Sequence, residues 1–226
     1  MNKGLQALRS VPIRETVADT LRRALLERHF RAGESLSEVD LAEQLTVSRG
    51  PVREGLLILA KEGLVVHSHN RGFSVLELTD VDIDEIWQVR IPLESLALAL
   101  AKKNASPHDL DDLQQLKNKM VEAHREGDFA RTVHSDLEFH MAIWEKSGNK
   151  WLVAALKRLM VPYFTFTEVY GKQSPGSTEA HLVDFHEMYL KYLGGASSQS
   201  AEECVRGHVA ARPVEMTAVD SGPRPA

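Results

Sequence analysis

Apolar residues recur along most of this chain at the three- and four-residue spacing of a helix, and the period changes to an extended one between Leu64 and Leu76. Val17, Leu21, Ala24 and Leu25 fall at i, i+4, i+7 and i+8, which predicts a first helix over Thr16 to Leu26. Ser37 stands three residues before Asp40, the spacing at which a hydroxyl caps a helix N-terminus and an acid supports its first turn. A short helix carrying Leu41, Ala42 and Leu45 therefore begins there. Thr46 to Arg49 leaves room only for a turn. Ser48 is a second N-cap and Pro51 fits a first helical turn, so another helix follows from about Arg49 to Glu62. Val52, Leu56, Leu59 and Ala60 form its buried stripe, Gly63 fits its C-terminal cap, and Arg49 and Arg53 share its wet face. Leu64 to Val66 and Phe73 to Leu76 are extended runs separated by the turn-like Ser68 to Gly72, which predicts a two-stranded hairpin.

From Asp80 onward the pattern is helical. Ile83, Ile86, Trp87 and Ile91 line one face, and Pro92 is expected to kink or break that helix before Leu93 to Ala101 continues it. Ser106-Pro107 restarts the chain with an N-cap and a proline at the first helical position. Leu110, Leu113, Leu116 and Met120 mark the next stripe, ended by Gly127. Phe129 to Lys146 and Lys150 to about Tyr170 follow, separated by Ser147-Gly148-Asn149, with Pro162 as a bend in the second. Gly171 to Gly176 reads as a loop. Thr178 opens a helix to Leu193, and Ser200 with Glu203 forms a capping box for a last helix to about Arg212.

The fold class this predicts is mainly α: an N-terminal winged helix-turn-helix domain over 1–77, then an all-helical bundle of six or seven helices and no strands over 78–212. Met1 to Ser10 reads as a loose arm. The proline-rich end, 213–226, reads as a disordered tail. Glu77 to Asp80 is a polar hinge.

Composition narrows the partners. With 43% hydrophobic and 26% charged residues the chain is globular. No run reaches the length of a membrane span and the start lacks a signal-peptide core, so a cytoplasmic protein with no membrane partner is expected. One cysteine, Cys204, excludes an internal disulfide framework. The net charge of -5 is unevenly spread: residues 1–77 hold 11 Lys and Arg against 10 acids, and the remainder 16 against 22. So weak a basic balance predicts that nucleic-acid affinity would come from two symmetric copies on a palindromic site rather than from bulk charge.

A helix, tight turn, second helix and hairpin place the second helix in a DNA major groove. Arg49 and Arg53 lie one turn apart near its N-terminus, where a guanidinium forks onto guanine O6 and N7. Ser48 and free backbone N–H groups suit a phosphate, and Arg71 and Gly72 at the hairpin tip suit the minor groove or phosphates. The run LSEVDLAEQLTVSRGPVREGLLILAKEGLVV followed by NRGFSV resembles the DNA-binding domain of GntR-family bacterial transcription regulators. The resemblance implies DNA contacts from Ser48, Arg49, Gly50, Arg53, Arg71 and Gly72. Some members carry Arg where this chain has Val39.

Four polar residues stand where a core face belongs. Asp136 and His140 are i, i+4 on one helix, His186 shares a face with Leu182 and Leu190, and His208 lies one turn after Cys204. A carboxylate and three imidazoles from three helices suit Zn2+, Ni2+ or Mn2+ and leave a coordination position open. The pattern resembles the helical ligand-binding domain of the FadR branch of that family, the FCD domain, over residues 80 to 212. There an Asp-x-x-x-His pair, a later His and a last-helix His hold a metal. His181 is a rival to His186. Val89-Arg90 with Leu93-Glu94 aligns with a family position whose Arg faces an effector, and the competing reading is a salt bridge to Glu94. The expected function is a homodimeric repressor, not an enzyme, whose helical domain binds a metal and a small organic acid. The alternatives are a metal-responsive regulator with no organic effector, or a metalloenzyme domain on a DNA-binding head.

Overall fold

The computed structural model describes residues 12–173, 178–210 and 214–216. The chain divides into two compact units, Met1–Leu76 and Glu77–Ala226.

The first unit contains α1 (Ile13–Leu26), β1 (Ser35–Leu36), α2 (Glu38–Leu45), α3 (Arg49–Lys61), β2 (Val65–Ser68) and β3 (Gly72–Val75). Ser37 accepts from the Asp40 N–H at the start of α2 as its spacing predicts. Thr46 takes a left-handed conformation at the end of α2, which turns the chain sharply into α3. Val52, Leu56 and Leu59 of α3 are fully buried, together with Val17, Leu21 and Leu25 of α1. Gly55 lets α1 and α3 approach closely: a Cβ there would lie 2.9 Å from Val17 Cγ1 and 3.2 Å from the Ala18 backbone nitrogen. The sheet departs from the predicted hairpin. It has three strands in the order β1-β3-β2, with Leu36 opposite Phe73 on the outer edge of β3. A two-residue strand is too short for alternation to reveal in sequence. It forms because Leu36 and Phe73, both buried, complete one apolar surface.

The second unit contains α4 (Asp80–Asn104), α5 (Pro107–Arg125), α6 (Phe129–Lys146), α7 (Lys150–Tyr170), β4 (Gly171–Gln173), α8 (Glu179–Leu193), α9 (Ala201–Ala210) and β5 (Val214–Met216). Capping boxes start α4 at Thr79/Asp82 and α5 at Ser106/Asp109, and Ser200/Glu203 forms the one expected for α9. Asn149 caps α7 with its side-chain oxygen. α6 packs against α5, α7 and α4, while α9 packs against α4 and α8.

Two expectations are corrected here. Pro92 does not break its helix: α4 runs unbroken past it. Pro92 and Gln88 are both exposed, so the Gln88 carbonyl that loses its N–H partner faces water rather than the core. Pro162 lies inside α7, whose residues match the helix expected there. The bundle is also not free of strands, because Gly171–Gln173, read as loop, pairs antiparallel with Val214–Met216, read as disordered tail. That pairing joins segments about forty residues apart, beyond the reach of any local pattern. The loose arm and the rest of the tail lie outside the described residues. No helix among those described is long and apolar enough to cross a membrane.

Candidate metal centre and nucleic-acid face

In the first unit Ser48, Arg49, Gly50 and Arg53 are all exposed at the N-terminal end of α3. Ser48 flanks the helix in extended conformation with no side-chain capping bond, so its hydroxyl and the first-turn N–H groups remain available to an anion. Gly50 presents bare backbone with no atom within 4 Å of where a Cβ would be. The sequence reading missed Glu38. Its carboxylate lies 3.7 Å from Arg49 and 3.0 Å from Arg53, holding both guanidiniums on one side. Those arginines are 67% and 54% exposed, so each pair contributes at most about 1 kcal/mol and yields readily to a phosphate or a base edge. Across the sheet, Asn70 (φ 69) and Gly72 (φ 76) take left-handed conformations that fold the β2–β3 tip and leave Arg71 exposed.

In the second unit the buried stripe of α4 reads Ile83, Trp87, Arg90, Glu94, Ala97, Leu98, Ala101. Two charges occupy its middle. Arg90 Nε donates to Glu94 Oε2 at 2.5 Å, and the two side chains are 2% and 0% exposed. The guanidinium carbon also lies 4.8 Å from the Trp87 ring centre. Burial alone would drive Glu94 to take up a proton. Arg90 and His140 outweigh it and hold the carboxyl below its usual range.

α6 brings Asp136 and His140 to this point, α8 brings His186, and α9 brings His208. One donor atom from each of the four lies within 4.8 Å of the others. His186 Nε2 is 2.9 Å and His140 Nε2 is 3.3 Å from Asp136 Oδ1, and the Nε2 atoms of His140 and His208 are 3.0 Å apart. His181, the rival ligand, is exposed and outside the group. The outer ring nitrogens explain the orientation. His186 Nδ1 lies 2.7 Å from the Leu182 carbonyl, which can only accept, so Nδ1 carries a proton and the ring is held with Nε2 turned toward Asp136. His140 Nδ1 lies 2.5 Å from Glu94 Oε1, a charge contact although the ring N–H is not aimed along it. Among the described residues His208 Nδ1, like His140 Nδ1, has no hydrogen-bond partner.

Electrostatics reinforce the set. Burial raises the Asp136 carboxyl, but bonds to His140 and His186 overcome it and keep the group well below the usual carboxylate range. His208 is pushed well below the usual imidazole value by burial and by His140, His186 and Arg90. Burial also lowers His140, but Glu94 and Asp136 reverse that and raise it. The result is one anionic oxygen that the Nε2 atoms of His140 and His186 both face, and a third buried imidazole, His208, held in its neutral form. A divalent cation at the centre would replace the protons shared across these contacts and bind the same four atoms. Donor type and number fit a divalent ion, and the Leu182 carbonyl behind His186 fixes one of the rings.

Comparison with known proteins agrees with both units. Residues 13–75 match the family "Bacterial regulatory proteins, gntR family", and residues 85–211 match the FCD domain. The chain is 29% identical over 205 residues to the HTH-type transcriptional regulator McbR of Escherichia coli strain K12, covering 89% of this chain and 91% of that one. It is 26% identical to a gluconate operon transcriptional repressor of Bacillus licheniformis, over 78% of this chain and 74% of the repressor. The solved structure of E. coli McbR/YncC superposes with a TM-score of 0.66 at 27% identity, covering 90% of this chain and 96% of that one. These matches fall on the exposed recognition helix with its three-stranded wing and on the helical unit with its His/Asp cluster: the chain belongs to the GntR family of transcription regulators, is one of those carrying an FCD domain, and is not an enzyme.

Proposed function

We propose that this regulator acts as a homodimeric repressor on a palindromic DNA operator, and that a divalent metal (Zn2+, Ni2+ or Mn2+) and a small organic acid in its helical unit control operator binding. The observation that carries the proposal is the convergence of Asp136, His140, His186 and His208 with their donor atoms within 4.8 Å of one another. A bound ion supplies positive charge and an open position for an effector oxygen. Arg90 contributes the second anchor: its Nη2 lies 3.4 Å from His140 Nε2, so its outer edge faces the cluster and suits a carboxylate. In the other unit Ser48, Gly50 and Gly72 suit backbone phosphates, and Arg49, Arg53 and Arg71 suit bases or phosphates. Two recognition helices on one duplex read two half-sites, which a twofold dimer supplies. The effector shifts operator affinity only to the extent that it binds the DNA-competent and incompetent forms unequally.

Elemental analysis of the purified, chelator-free protein tests the metal. The expected result is near one ion per chain, lost in His140→Ala and His186→Ala. Metal-loaded protein is then screened against short carboxylic acids for thermal stabilisation. An acid that stabilises it and changes its DNA affinity supports the full reading. Absence of metal from the unsubstituted protein overturns the metal assignment, and operator affinity unchanged at saturating acid overturns the control mechanism.

A further inference from the structure

Glu94 touches both halves of the site, one oxygen to each. Oε2 is taken by Arg90 Nε at 2.5 Å, while Oε1 meets His140 Nδ1 at 2.5 Å and the Trp144 indole N–H at 3.3 Å. Glu94 itself has no exposure to solvent. A buried carboxylate behind an imidazole holds the ring by charge and makes its inward nitrogen a stronger donor to a cation. His186 has only a backbone carbonyl in that place, and among the described residues neither His140 Nδ1 nor His208 Nδ1 has a hydrogen bond, but His140 Nδ1 meets the Glu94 charge. His140 is therefore the one ligand ring of the three with a charged group behind it. The same carboxylate occupies the inner edge of Arg90 and so turns the guanidinium's outer edge toward the cluster.

We infer that Glu94 is a positioning residue shared by the metal and the effector anion: it sets the affinity for the ion through His140 and orients Arg90 for the acid. This rests on the metal reading above. A glutamate that touches no ligand would then tie the occupancy of one half of the site to the other. A change at position 94 should weaken metal binding without removing any metal-binding side chain.

The test measures Zn2+ affinity of the full-length protein by competition with a chromophoric chelator. The proteins compared are unsubstituted, Glu94→Gln, Glu94→Asp, and Leu156→Ala, a core cavity on α7, which supplies none of the four ligands. Glu94→Gln keeps the shape and removes the charge, and is expected to weaken Zn2+ binding about 10- to 100-fold while the number of sites stays at one. Glu94→Asp keeps a charge opposite Arg90, so it folds even where Gln does not. Its carboxylate is drawn back by one carbon and cannot span both partners, and at least a several-fold loss is expected. Leu156→Ala should lower the melting temperature and leave Zn2+ affinity unchanged, which separates positioning from general loosening. Zn2+ affinities for the folded position-94 variants within twofold of the unsubstituted protein overturn the inference, as does an equal loss in Leu156→Ala. Absence of Zn2+ binding in the unsubstituted protein overturns the metal reading instead, and this inference with it.

Discussion

Replacing Arg90 with Met should be among the most damaging single changes in the helical unit, and the damage should be largely relieved by a second change. Arg90 is 2% and Glu94 0% exposed, and their bond is 2.5 Å long. Met keeps much of the apolar packing but strands the Glu94 carboxylate in the core, and breaking a buried pair from one side costs about 3–5 kcal/mol. Contact with the Trp87 ring at 4.8 Å is lost as well. Glu94→Gln alone strands the guanidinium at a similar cost. Independent effects would put the double variant at about 6–10 kcal/mol, a large share of the roughly 5–15 kcal/mol that holds a domain together. In Arg90→Met/Glu94→Gln, however, no charge is stranded. The Gln oxygen still accepts from Trp144, and the remaining cost is an imperfectly paired amide, about 1–3 kcal/mol. The double variant should thus be more stable than either single one. Equilibrium urea unfolding of metal-free protein at one fixed chain concentration, followed by circular dichroism, measures this cycle. A double variant that loses the sum of the two single losses would refute the account of Arg90 and Glu94 as a closed pair in a low-dielectric core.

Two further outcomes are expected from the DNA-reading unit. Arg53→Ala should weaken binding to a duplex selected from a random library by about 1–3 kcal/mol and relax preference at one base position, with little change on non-cognate DNA, as read by fluorescence anisotropy. An equal loss on cognate and non-cognate DNA would reduce Arg53 to a phosphate contact. Gly55→Ala gains about 1 kcal/mol of helix propensity but meets Val17 Cγ1 at 2.9 Å and the Ala18 backbone at 3.2 Å. Overpacking of about 1–3 kcal/mol should outweigh that gain. A lowered melting temperature is expected, and a raised one would show that α1 can move aside.

Much of this protein was determined locally. Helix starts at Ser37, Ser106, Thr178 and Ser200 were legible because a cap bonds within three residues of itself. The winged helix-turn-helix was legible because helical and extended periods succeed one another over a short stretch. The Asp136/His140 pair was legible because i, i+4 side chains point the same way on any helix. The sequence left His181 and His186 of α8 as rivals, and only burial ranks them: His186 lies on the buried stripe of Leu182, Tyr189 and Leu193, and His181 is exposed. What the sequence alone left open depends on contacts between distant segments. Pro92 reads as a break until the exposure of its side of α4 is known. β1 and the β4–β5 pair exist only because another strand offers an open edge. Arg90 and Glu94 read equally as an effector anchor or a salt bridge, since spacing along α4 gives no information about α6. Only the packing of α4 against α6 puts Glu94 behind His140, and only the convergence of α6, α8 and α9 turns four scattered polar residues into one donor set. Local bonding rules decided the elements, and the tertiary fold decided which of their polar side chains share a single buried centre.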